Sequence, residues 1–199
     1  MRVLFLLAIV PILTLTFSSC RNTHAYEKYV KELDSLKVVM QQAVTNFKTI
    51  DSADCVKAYS KQYTYSQFLN SHLKDTVPKT VAENLLNFQS VENGLRDYMA
   101  IRSSLLNEAE LSVDQLQSLS HDLKTGSIDE EDAVEFINEE KKQSEKIIEE
   151  LKINTQMIRK HMELFYQSLP ACESLVKQLN SGVLPALLNP EIKHSTITD

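Results

Sequence analysis

The chain has 199 residues, 43% hydrophobic and 24% charged, with a formal net charge of −6. This composition is globular rather than disordered, and its acidity gives no electrostatic reason to expect nucleic acid as a partner. Only three glycines occur, Gly94, Gly126 and Gly182, where average usage would place roughly fourteen; that shortage argues against phosphate-cradling loops, nucleophile elbows and tight β-hairpins.

At the N-terminus, Met1 and Arg2 precede an uncharged, mostly apolar run from Val3 to Phe17, followed by Ser18, Ser19 and Cys20. A charged start, an apolar stretch and a small-residue cleavage site define a signal peptide over residues 1–19. As a helix the run would cover only ~22 Å of a ~30 Å hydrocarbon core, with Pro11 in its middle, so a retained transmembrane anchor is the weaker reading. Phe17-Ser18-Ser19-Cys20 resembles the lipobox of bacterial lipoproteins. The resemblance covers the first twenty residues and departs from the motif at Phe17, where an aliphatic residue is usual. It implies lipidation at Cys20, a tether over 20–25 and membrane attachment through acyl chains worth ~0.8 kcal/mol per buried CH₂. Arg21, Asn22 and Thr23 follow the cysteine with no Asp and no acidic run. By the same resemblance this implies an outer-membrane, periplasm-facing protein. An ordinary cleaved signal with a chance cysteine is the alternative. Cleavage removes Arg2 and no acid, so the mature chain is still more acidic and the lipid must do the anchoring.

Helical periodicity dominates from Tyr26 onward, placing a helical bundle domain at 26–188 after a leash of about five residues reaching ~18 Å at most. Tyr26, Tyr29, Leu33, Leu36, Met40, Ala43, Phe47 and Ile50 form the stripe of a first helix. Asp51 and Ser52 are N-cap candidates for a second helix reaching Leu73, striped by Cys55, Val56, Tyr59, Tyr63 and Leu69. After a turn around Pro78, Thr80 and Glu83 make a capping box for a third helix, striped from Val81 through Arg102 to Ala109. Ser112 and Gln115 make a second box, predicting a short connector helix closed by Gly126. Ser127 and Glu130 make a third, opening a fourth long helix striped by Ile137, Lys141, Ser144, Ile148, Leu151, Thr155, Ile158, Met162, Phe165 and Leu169. Ile153, Met157 and Leu164 form a second apolar line, expected to be covered as well. Pro170 is expected to end this helix, with a short C-terminal helix over 171–180 and a disordered tail over 189–199. No sustained period-two pattern appears. The expected fold is all-α, an antiparallel up-and-down bundle of about four long helices plus the connector and C-terminal helices.

Cys55 and Cys172 remain after lipidation, and two arrangements fit them, a disulfide or two separate core thiols. Histidines 24, 72, 121, 161 and 194 never fall at the helical spacing that aims two ligands from one face, so no metal is expected. Arg102 interrupts the third stripe while Glu140, Lys141 and Ser144 interrupt the fourth, so Arg102 and Glu140 are candidates for a buried ion pair. The competing reading lets Arg102 extend to water. Within the aromatic run Tyr59, Tyr63, Tyr65 and Phe68, the off-stripe Tyr65 and Phe68 are candidates for a partner surface. The sequence offers no catalytic constellation and no cofactor motif. The expected role is binding or scaffolding of a protein partner in the bacterial envelope. The alternative is a small-molecule or cofactor-binding bundle with a pocket at Arg102 and Glu140.

Overall fold

The structure, a computed structural model, describes residues 26–190. The signal peptide, Cys20, the tether over 20–25, His24, His194 and residues 191–199 lie outside the described residues. Four helices and no strand make up the described part: α1 Glu27–Lys48, α2 Ser52–His72, α3 Lys79–Thr125 and α4 Glu130–Leu179. None of them is long and apolar enough to cross a membrane.

α3 and α4 form an antiparallel hairpin turned at Gly126, whose φ of +68° suits a residue without Cβ. The Ser127 N–H donates to Asp122 O at 2.9 Å and the Gly126 N–H to Leu123 O at 3.4 Å, closing the helix as a Schellman motif. α1 and α2 then lie one after the other along this hairpin. Lys141 pairs with Glu32, Arg159 with Thr49, Tyr166 with Asp54 and Glu173 with Lys61, at sequence separations of 109, 110, 112 and 112. So steady a separation means that α1, α2 and α4 climb in parallel. Partners on α3 descend instead: Asp34 meets Lys124, Lys48 meets Glu110 and Gln62 meets Glu92.

α1 and α2 do not pack against each other. A cross-section therefore cuts three helices, and the four-helix up-and-down topology is corrected on this point. The cause is local. Nothing between Thr49 and Asp51 reverses the chain. Asp51, extended at ψ 105°, accepts from Ala53 N and Asp54 N at 2.9 and 3.2 Å and restarts a helix in the same direction. Asp51→Ala is expected to lower stability by ~1 kcal/mol, read as a reduced denaturant midpoint with an unchanged slope. The 50 residues of α4 make the rod ~75 Å long.

The connector and C-terminal helices are not separate elements. α3 runs unbroken through Ser112, which turns inward and bonds Ser144 Oγ at 2.8 Å instead of capping. α4 runs through Pro170. The ring removes a donor to the carbonyl of Tyr166, but both residues lie on the exposed side of α4, where solvent can satisfy a freed carbonyl. Cys172 and Val176 continue the main stripe. Two capping boxes fail as well. Thr80 lies inside α3, entered through Pro78, and Glu83 pairs with Lys79 at 3.9 Å; Ser127 Oγ bonds Thr125 Oγ1 at 2.7 Å.

The predicted stripes of α1, α3 and α4 supply most of the core. Of the second line on α4, Leu164 is half-buried while Ile153 and Met157 are 45% and 48% exposed, so that face is largely uncovered. α2 has no clean stripe because it is covered on more than one side: Ser60, Gln62, Thr64 and Ser66 are buried with Tyr59, Tyr65 and Leu69. Beyond α4 the chain turns at Ser181 and Gly182 and folds back over α2. Leu184 packs on the core, and the Leu188 N–H donates to Thr64 Oγ1 at 2.9 Å.

Candidate functional site

A grouping of reactive side chain types lies where α1 passes into α2 against α4. The helix break frees Thr49 to receive Arg159, whose Nη2 donates to its Oγ1 at 3.0 Å. One turn into α2, Asp54 accepts the Tyr166 hydroxyl on both carboxylate oxygens, at 2.6 and 2.7 Å. A cavity of about 310 Å³ opens between these groups, with Asp51, Cys55 and Met162 also in its wall.

Protonation states decide what this cluster can do. Burial pushes the Cys55 thiol up to about 11, reinforced by Asp54 and Asp51 and only partly offset by Arg102. The hydrogen bond to Asp54, with burial, pushes Tyr166 up to about 12. At neutral pH neither group is an anion, and a protonated thiol is a poor nucleophile and a poor metal ligand. The arrangement is a clamp: it holds the break between α1 and α2 against α4 and leaves an acidic, partly open notch beside a guanidinium.

Cys55 and Cys172 are both free and buried, the arrangement of separate core thiols. Burial, then the neighbouring Glu173, pushes Cys172 up to about 12. Both thiols are expected to be silent toward a thiol reagent in the native protein at pH 8 and to titrate together in denaturant; rapid native modification of either contradicts this packing.

Arg102 and Glu140 do not meet. The hairpin register that sets Ser112 against Ser144 and Gly94 against His161 leaves Arg102 about thirteen residues up the rod from Glu140, or ~20 Å. Arg102, half-buried, donates from Nε to the Tyr98 hydroxyl at 3.2 Å. Glu140 keeps a buried Oε1 with no hydrogen-bond partner, and burial raises its carboxyl above the usual range. The expected pocket at this pair is therefore not built. Lys141, the neighbouring interruption, reaches Glu32 at 2.9 Å on the rim.

The aromatic run turns inward. Tyr65 is 2% exposed, stacks on Phe88 at 6.3 Å and donates to Glu173 Oε1 at 3.3 Å. Phe68 is half-buried and stacks on His72 at 4.1 Å, so neither forms the partner surface expected of it. His161, whose packing partner no sequence pattern signals, lies over Gly94: a Cβ built there would stand 2.6 Å from the ring Cγ. Its Nδ1 is buried without a partner. Among the described residues no group of three or more His, Cys, Asp or Glu is placed to hold a metal ion.

Comparison with protein-family models, curated proteins and solved structures finds no match for this chain.

Proposed function

We propose that this chain is a lipid-anchored, periplasm-facing component of the bacterial envelope that binds or scaffolds a protein partner rather than catalysing a reaction. The lipobox-like start supports the anchor. The axial layout of the rod is the observation that carries the role. α1 begins at Glu27, close behind Cys20, at the same end as the turn between α3 and α4. A tether reaching ~18 Å keeps that end near the bilayer. The turn between α2 and α3, residues 73–78, then stands ~70 Å further out, the length of α1 and α2 laid end to end. Such a body presents a surface at a set height above a membrane. The proton-retaining Cys55 and Tyr166 fit a binding role.

Intact mass of the membrane-extracted protein is expected to show loss of residues 1–19 and gain of acyl mass on Cys20, with Cys20→Ser releasing the protein from the membrane. An unacylated soluble protein overturns the anchor. Photo-crosslinkers placed in residues 73–78 are expected to capture a protein in intact cells; repeated capture of none overturns the partner. A second reading, small-molecule binding, finds its best footing in an open cavity of about 590 Å³ between α1 and α3, where Lys37, His121 and Lys124 surround Asp34. A ligand-induced thermal shift abolished by Lys124→Ala would favour it.

A further inference from the structure

The apolar interior of the rod is not continuous. Its buried residues fall into two clusters, a large one reaching from Met40 along α2 and most of α3 and α4 to Val176, and a small one around Leu33, Leu116, Leu123 and Ile137 at the hairpin end. Between them the inward positions of α4 are Glu140 and Ser144, and that of α3 is Ser112, between Ala109 of the large cluster and Leu116 of the small one. The two serine hydroxyls bond each other across the axis at 2.8 Å. One turn away the orphaned Oε1 of Glu140 is sealed from water, and the Glu32–Lys141 pair closes the rim. Leu36 is the main apolar residue that touches both clusters.

A polar layer of this kind contributes little cohesion. A hydroxyl pair exchanges water for protein hydrogen bonds at small net gain, and a half-buried carboxylate with one oxygen enclosed and unpaired opposes burial. The small cluster also holds no buried aromatic ring, whereas the large one contains Phe47, Tyr65, Phe88 and Phe165. Opening the hairpin end alone would therefore cost only its own modest apolar surface and would rupture the rod where it is weakest.

The geometry points to a two-step rod: residues 26–36, 112–125 and 130–144 open as one unit while the remainder stays folded, with the Ser112–Ser144–Glu140 layer as the boundary. Opening uncovers Leu33, Leu116, Leu123 and Ile137, an apolar surface absent from the closed form. This follows from packing alone and holds whether or not Cys20 is acylated.

Native-state hydrogen exchange on the purified full chain tests it. Amides of Leu119, Leu123 and Ile137 are expected to share one opening and to exchange at least ~100-fold faster than those of Leu95, Leu151 and Ile158. Ile137→Ala is expected to accelerate the first group at least ~10-fold and leave the second unchanged, as for a separate cooperative unit. Ser144→Leu, which joins the two clusters, is expected to draw the two groups together. Equal protection at both ends of the wild-type rod, or equal acceleration of both by Ile137→Ala, overturns the proposal. Should Ser144→Leu fail to fold, the other two measurements still decide it.

Discussion

Phe88→Ala is expected to destabilise the protein by about 3–5 kcal/mol, the cost of deleting a fully enclosed aromatic ring. Phe88 is at 0% exposure and stacks on Tyr65 of α2 at 6.3 Å and on Phe165 of α4 at 5.6 Å. One side chain of α3 thus ties together the three helices of the upper rod. Removing it leaves a cavity bounded by two buried rings, Tyr65 tied to Glu173 and Phe165 edge-on to Tyr166, so the site collapses poorly and the cost falls toward the upper end. Chemical denaturation is the measurement. A loss under about 1 kcal/mol would mean that the aromatic stack is not packed as described.

Gly94→Ala carries the second largest expected effect, and its sign is the informative part. In a helix interior, alanine gains ~1 kcal/mol over glycine from propensity alone. Here the added methyl would enter the space of the His161 ring. The ring cannot yield by moving a flexible end, because Cγ itself is too close, so the helices must part or the ring must leave. Overpacking of this kind costs ~1–3 kcal/mol, so a net loss is expected where an isolated helix would gain. His161→Ala should restore the ordinary preference for alanine at residue 94, a non-additivity that a double-mutant cycle reads directly. Stabilisation by Gly94→Ala alone would contradict the close seating of His161 on Gly94.

The same ring has a pH signature. Burial, and then Lys160, lower the His161 value below its ordinary 6.5, with Asp97 on α3 acting weakly the other way. A histidine depressed in the folded state binds its proton less readily than in the unfolded chain. Its stabilising contribution is complete above pH 6.5 and is lost as pH falls through the lower folded value. Stability is therefore expected to decline on acidification below 6.5, and His161→Phe should flatten that limb. The lowered carboxyls of Asp34 and Glu32, each held down by its lysine partner, act at lower pH, from below 3.8 and 4.5 respectively. The two limbs are thus separable.

Much of the fold is legible in the sequence because spacing alone encodes it. The stripes of α1, α3 and α4, the capping Asp51 and the left-handed Gly126 all lie where periodicity and turn chemistry place them. The errors share one physical origin. Ser112, Thr80 and Ser127 each stand three residues before a Glu or Gln, yet a serine or threonine has the same local spacing whether it caps a helix or faces a neighbour; the choice depends on what packs against it. Pro170 ends a helix only if the freed carbonyl lacks another partner, and solvent exposure supplies one. The interruptions at Arg102, Glu140 and Ser144 are visible in the sequence. Pairing them required the register of the hairpin, which sets Ser112, not Arg102, on the same layer as the gap in α4. Gly94 gave a signal, a glycine tolerated in a long helix, but its partner His161 lies on a different helix and only tertiary structure joins them.

Because α1 touches α3 and α4 but not α2, the covalent bond between Ile50 and Asp51 supplies mainly proximity, the Thr49–Arg159 hydrogen bond and the Asp51 cap lying on either side of it. Cutting there would sever no helix, so a synthetic 26–50 peptide should reassociate in trans with a fragment starting at Asp51. Complementation of that sort would let α1 be labelled, shortened or exchanged without altering the gene for the rest, and would report its grip on the hairpin as an ordinary dissociation constant.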